Sequence, residues 1–181
     1  RQPVLDVVAE AVRHHLVERR DDREYAFVHH RIRDALLSQA DGAAPELIHE
    51  RIADLLEDRA DGSPESVYAL ARHCQLAGAG RRPDRLFRVA YAAGRQALAD
   101  HAPTQAVVFL EAAAATADHI PTEHASRFGT TLGVAYHRAG RFRDATQAFD
   151  RSLAAASDAM ERAAIRHLIA RVHDSTWSTA E

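Results

Sequence analysis

The 181-residue chain carries a formal net charge of −3, is 46% apolar and 6% aromatic, and contains neither lysine nor asparagine. That length suits one domain of ordinary size or a small module joined to a run of helical repeats. No apolar stretch approaches the roughly 20 residues that a helical membrane span needs, and acids and arginines alternate along the chain, which reads as solvated helix faces rather than a phosphate-binding stripe.

Membrane and nucleic acid are therefore not the expected partners of this segment. The arginine bias reflects a GC-rich genome and needs no chemical explanation. The single cysteine, Cys74, can close no intrachain disulfide and reads as a small core residue. The first residues lack the charged start, apolar centre and cleavage site of a secretory signal, so a cytoplasmic location is the expectation. A start at Arg1 and a polar end from Ser175 to Glu181 read as those of a piece of a longer protein.

Val4, Val8, Ala11 and Val12 recur at helical spacing, and Leu16, Val17, Tyr25, Ala26 and Phe27 then flank the charged turn 19–23. This predicts a helix followed by a small hairpin within 15–28. Ile32, Ala35 and Leu36 restore the helical period over 29–39, and Asp41 and Gly42 interrupt it. Residues 1–40 thus have the proportions of the C-terminal part of a winged-helix domain.

Residues 41–181 read as an array of helices over 45–57, 64–77, 83–100, 103–118, 121–139, 142–157 and 160–173. Pro45, Pro64, Pro83, Pro103 and Pro121 stand near helix starts, where a missing N–H costs nothing. Gly78 and Gly80 close the 64–77 helix. Helices joined by tight turns are expected to form hairpins stacked in series.

The most specific signal is a repeat over 126–159. Leu132, Gly133, Ala135, Tyr136, Gly140, Phe142, Ala145, Phe149 and Leu153 resemble the 34-residue tetratricopeptide pattern. Gly133 and Ala145 would let two helices touch while Tyr136 and Phe149 fill the space beside them. Gly129 and Ser157 stand where that pattern has tryptophan and proline. A weaker unit precedes it, with Gly94, Ala106, Leu110, Ala113 and Ala114, and a third begins near Met160. The expected fold is all-α: a right-handed α–α superhelix of such hairpins with a short β-hairpin near its start.

The run from Tyr25 to Leu37, followed by His49 to Glu57 and Leu70 to Gly78, is similar to the segment after the nucleotide-binding domain in bacterial signal-transduction ATPases of the STAND class, which include MalT-like and large LuxR-type transcriptional regulators. The resemblance covers residues 4–118, with the 126–159 repeat in the expected order. It implies a piece that begins near the end of a winged-helix domain and enters a helical sensor array receiving an inducer or a partner protein. ATP or ADP would then belong to the full-length parent. This chain lacks the Gly-x-x-x-x-Gly-Lys loop and, with no lysine, cannot hold one. The resemblance also implies a nucleotide-sensing role in the parent for His29, since related switch ATPases use a histidine at this strand end to touch ADP phosphates. The residue-level alternative is a histidine that caps the hairpin-to-helix junction.

No catalytic or metal constellation stands out. Twelve histidines include the pairs His14–His15 and His29–His30, but neighbours on a helix diverge by about 100° and no His-Glu-x-x-His motif occurs. His119 and His124, or His167 and His173, do not improve the case. Cys74 beside His73 diverges likewise, and no Gly-x-Ser-x-Gly elbow is present. The segment is expected to be non-catalytic and to hold no cofactor.

A groove face remains as the candidate site. Counting the repeat from Ser126 puts Arg127, Thr130, Val134 and His137 on it, and the preceding unit contributes Arg88, Tyr91, Arg95 and Leu98. Arginine beside tyrosine suits an acidic or C-terminal peptide, because the guanidinium fork grips carboxylates while the ring adds apolar area. The alternative is that these arginines are merely solvated. Arg81 and Arg141 are expected on turns or outer surfaces. The functional expectation is a protein-interaction or sensor segment of a multidomain signalling ATPase or transcriptional regulator, with a small-molecule inducer as an alternative ligand. Rival readings are the regulatory region of an ATP-dependent cyclase or kinase, and a free-standing tetratricopeptide adaptor.

Overall fold

The computed structural model describes residues 2–21, 24–39, 44–116 and 122–178. It divides into two compact units, Arg1–Leu47 and Ile48–Glu181. The turn residues Asp22, Arg23, Asp41 and Gly42, the tail 179–181, and His119 and Pro121 lie outside the described residues.

In the first unit, α1 (Gln2–Arg13) is followed by an antiparallel pair, β1 (Val17–Asp21) and β2 (Glu24–Phe27), and then by α2 (His30–Ser38). Val17 faces Phe27, Glu18 faces Ala26 and Arg19 faces Tyr25, with an irregularity between Arg19 and Asp21. His15 ends α1 with φ of 55°. The Leu16 amide reaches back to the Ala11 carbonyl and the His15 amide to that of Val12. That is the glycine-type helix stop with histidine in the left-handed position. His15 is therefore a helix terminator, a role its pairing with His14 in sequence does not suggest. No described side chain of this unit is fully buried, and Val4, Leu5 and Val7 are 66%, 62% and 66% exposed.

Seven helices follow: α3 (Ala44–Asp58), α4 (Pro64–Leu76), α5 (Pro83–Ala99), α6 (Pro103–Ala114), α7 (Thr122–Arg138), α8 (Phe142–Ala155) and α9 (Ala159–Ser178). The unit division falls inside α3, between Leu47 and Ile48. Pro64, Pro83 and Pro103 each sit in the first turn of their helix. Ser63 also accepts the Ser66 amide at 3.3 Å, an N-cap that satisfies one unpaired donor. Gly78 and Gly140 follow α4 and α7 with φ of 90° and 76°, and His101 takes the same left-handed region after α5.

From α4 to α9 each helix packs on the next, and α5 also meets α7, as α7 meets α9. One buried cluster runs through these helices from Ala53 to Val172. Within it a Cβ at Gly94 would lie 2.5 Å from Leu110 Cγ, and one at Gly133 would lie 2.5 Å from Phe149 Cε1. Gly129 approaches Ser152 and Ala148 while Gly133 approaches Phe149, so α7 and α8 run antiparallel. The chain is mostly helical with one small sheet among the described residues, as expected. None of its described helices is long and apolar enough to cross a membrane.

Two boundaries differ from the expectation. α6 stops at Ala114, and Thr116 is buried with its hydroxyl on the Ala113 carbonyl at 2.7 Å, where continuation to 118 was expected. α9 runs past His173 to Ser178, and Ser175 in this last stretch meets His137 of α7 at 3.0 Å, a tertiary contact that sequence spacing does not show.

Candidate functional site

Where α5 meets α7, an aromatic stack sets the spacing. Tyr91 lies nearly parallel to Phe87 at 5.7 Å and edge-on to Phe128 at 5.5 Å, while its hydroxyl is 3.3 Å from Thr131 Oγ1. Arg95 is one turn beyond Tyr91, with its guanidinium 6.0 Å from the centre of that ring. Arg127 is one turn before Thr131, whose hydroxyl bonds the Arg127 carbonyl at 2.9 Å. Residues four apart share a helix face, so Arg95, Tyr91, Thr131 and Arg127 form one patch. Arg95 and Arg127 are exposed, and no ion pair engages either of them among the described residues.

The remaining groove candidates are occupied. Arg88 is exposed but bonded to Glu57 at 2.6 Å. Thr130 turns toward α8, with its hydroxyl 2.6 Å from Ser152 Oγ and 3.0 Å from the Ser126 carbonyl. Val134 and Leu98 are half-buried against the core cluster. His137 Nε2 meets Ser175 of α9 at 3.0 Å and its ring tilts against Phe142 at 5.8 Å. Burial, with Arg171 and Arg138 nearby, pushes the His137 imidazole below its ordinary pKa. The register singled out Thr130, whereas Thr131 is the threonine that touches Tyr91. Sequence spacing gave no signal for that, since both lie within 100° on one helix.

His29 is exposed just before α2, and its backbone carbonyl accepts the Ile32 amide at 3.0 Å. The main chain closes that junction. Arg81 and Arg141 stand exposed on turns, where they were expected, and both are engaged there. Arg81 reaches Glu50 at 3.3 Å. Arg141 bonds Glu111 at 2.8 Å and Asp144 at 2.6 Å, and stacks over Tyr136 at 4.5 Å. Glu111 also accepts the Tyr136 hydroxyl at 3.0 Å. Burial and that bond push the phenol up to about 12. Arg141 thus ties α6, α7 and α8 at one turn.

A second charged region lies between α3 and α5. Glu50, Asp54 and Glu57 occupy one face of α3 and meet Arg81, Arg82, Arg85 and Arg88. Arg85 is the buried member, with its side chain 9% exposed, 2.6 Å from Asp54 and 2.8 Å from Glu57. Its Nε and Nη2 make no aligned hydrogen bond, so the Glu57 contact is an ion pair by distance and not by direction. A shallow open cleft is lined there by Glu50, Ala53, Cys74, Arg81, Arg82 and Arg85. Cys74 is buried and burial pushes its thiol up, which is the reverse of a reactive cysteine.

His49 and His73 complete this region, their Nδ1 atoms 2.9 Å apart. One ring must donate and the other accept, so the accepting ring must be neutral and protonating both breaks the contact. Burial, then Arg72, lowers the His49 pKa, and burial, His49 and Arg72 lower that of His73. Among the described residues no three His, Cys, Asp or Glu side chains gather as a metal site. The chain matches no protein-family model, no curated protein and no solved structure.

Proposed function

We propose that this chain is a non-catalytic interaction segment whose hairpins α5–α6 and α7–α8 belong to a right-handed tetratricopeptide-type array, and that it binds an acidic peptide or protein segment at the Tyr91, Arg95, Thr131 and Arg127 patch. The observation that carries the reading is the division among the arginines of α5 and α7. Arg85 and Arg88 are engaged by carboxylates, whereas Arg95 and Arg127 flank an aromatic ring with no acid on them among the described residues. Guanidinium forks beside a phenol suit a carboxylate with apolar neighbours.

Contacts of α5 with α7 and of α7 with α9 support a serial array, since alternate helices of stacked hairpins meet in this way. The helix, hairpin, helix order of residues 2–38 supports a winged-helix end as the module before it. Together with the resemblance of residues 4–118 to STAND-class regulators, this supports reading the segment as part of a cytoplasmic signalling ATPase or transcriptional regulator, with ATP handled outside this chain. His29 as a nucleotide sensor belongs to that parent.

Fluorescence anisotropy with an array of acidic peptides, each with a free and an amidated C-terminus, tests the reading. Arg95→Glu with Arg127→Glu should weaken the best binder at least about tenfold, the scale of losing one or two charge-assisted contacts, with little change in Tm. Arg143→Glu with Arg151→Glu, on exposed positions of α8, should leave binding near that of the parent. Equal losses in both pairs, or no peptide that distinguishes the patch variant from the parent, would reject the patch.

A further inference from the structure

α3 is attached to its unit differently from the helices after it. α5 buries Leu86, Phe87, Val89, Ala90, Ala93, Gly94 and Ala97. In α3 the fully buried residue is Ala53, with Leu56 partly packed, while Leu47, Ile48 and Leu55 are 45%, 41% and 55% exposed. What α3 presents to α5 is charge. Glu50 meets Arg81 and Arg82 at 3.3 and 3.7 Å, Asp54 meets Arg82 and Arg85 at 3.0 and 2.6 Å, and Glu57 meets Arg85 and Arg88 at 2.8 and 2.6 Å.

We infer that α3 is a charge-held latch: a helix clamped to α5 by this carboxylate–arginine ladder, which lets go when ionic strength rises while α5 to α8 stay packed. The spacing of the ladder explains its grip. Positions 50, 54 and 57 fall on one face of α3 and meet Arg81 and Arg82 on the turn before α5 and Arg85 and Arg88 in its first turns, so each carboxylate is shared by two guanidinium groups. Its exposure explains why the grip is weak. At the outer rungs Arg82, Arg88 and Asp54 are 55%, 66% and 50% exposed, where salt screens charge over a few ångströms, while Glu50, Arg85 and Glu57 are 22%, 9% and 35% exposed and are screened less.

Arg85 does not oppose release. Both of its carboxylate partners, Asp54 and Glu57, belong to α3, so α3 leaves with them and opens the side of the guanidinium that they held. Every residue of the ladder belongs to the second compact unit. This inference is independent of the peptide patch, which uses neither α3 nor its arginine partners.

Hydrogen exchange read by mass spectrometry on the full chain tests it. Raising NaCl from about 50 mM to about 1 M shortens the screening length from more than 10 Å to about 3 Å. Amides of 50–58 should then exchange at least about threefold faster, while those of 86–98 and 128–153 keep their rates. Glu50→Gln with Asp54→Asn and Glu57→Gln should give fast exchange of 50–58 at low salt and no further response to salt. If 50–58 responds to salt no more than 128–153 does, α3 is held by apolar packing and the latch is wrong. That salt series on the unaltered chain decides the matter even if the triple variant fails to fold.

Discussion

The α7–α8 hairpin and the α3–α5 seam join helices within one unit by opposite means. In the hairpin, Gly133 leaves room for the Phe149 ring, Ala145 and Ala148 are fully buried, and Ser126, Thr130 and Ser152 satisfy one another's hydroxyls between the two helices. In the seam, long charged side chains span the gap and little apolar surface is removed from water. Close packing is short-ranged and indifferent to salt, whereas a half-exposed ionic ladder is tunable by solvent. The same chain therefore contains a rigid joint and a solvent-sensitive one.

The strongest way to break the contrast is to empty the rigid joint. Phe149 is 1% exposed, so Phe149→Ala should cost about 3–5 kcal/mol and lower Tm by roughly 6–20 °C, equally at low and high salt. A Tm drop that salt reverses would erase the distinction.

Overfilling the same joint should cost less and map its register. Ala145 is 0% exposed, so Ala145→Leu must part the helices, at about 1–3 kcal/mol. Ala156 is only half-buried and lies just beyond α8. Ala156→Leu should therefore cost less, and thermal melts ranking the two the other way would refute the hairpin register.

The smallest effect is expected from acid on the α3–α4 contact. His49 and His73 have folded pKa values below the unfolded value of 6.5, so the unfolded chain binds protons that the folded chain refuses. Stability is then lost as pH falls from about 7.5 through 6.5 toward the folded pKa. Glu57 is lowered by its bond to Arg88 above all, so its contribution is present above about 4.5 and fades only below that. Melts between pH 7.5 and 5.5 thus read the histidines, His137 included, and not the ladder. His49→Gln with His73→Gln should flatten part of that slope, and an unchanged slope would remove the histidine contact from the account.

Much of the helical layout was legible. Apolar spacing marked every described helix, prolines at 64, 83 and 103 marked starts, and the small residues Gly133 and Ala145 pointed to the tight hairpin. Helix stops were harder where histidine replaced glycine. His15 and His101 adopt left-handed backbone, a conformation that composition does not flag in histidine.

The candidate site was half legible. Tyr91, Arg95 and Arg127 were found through the repeat register, and the same register placed Thr130, Val134 and His137 beside them although each packs between helices. The ionic ladder left no trace in sequence, because Glu50 and Arg81 or Glu57 and Arg88 are 31 residues apart.

The sequence by itself determined the local terms: helix periodicity, proline starts, the absence of lysine and hence of a P-loop lysine, and the small residues that permit close approach. Those properties depend on a residue and its near neighbours. Which arginines are spent on carboxylates, and which stay exposed beside Tyr91, was decided only by the tertiary structure. An arginine's partner is whatever acid the packing brings within about 4 Å, and here packing brings α3 against the first turns of α5 and, among the described residues, leaves Arg95 and Arg127 without one.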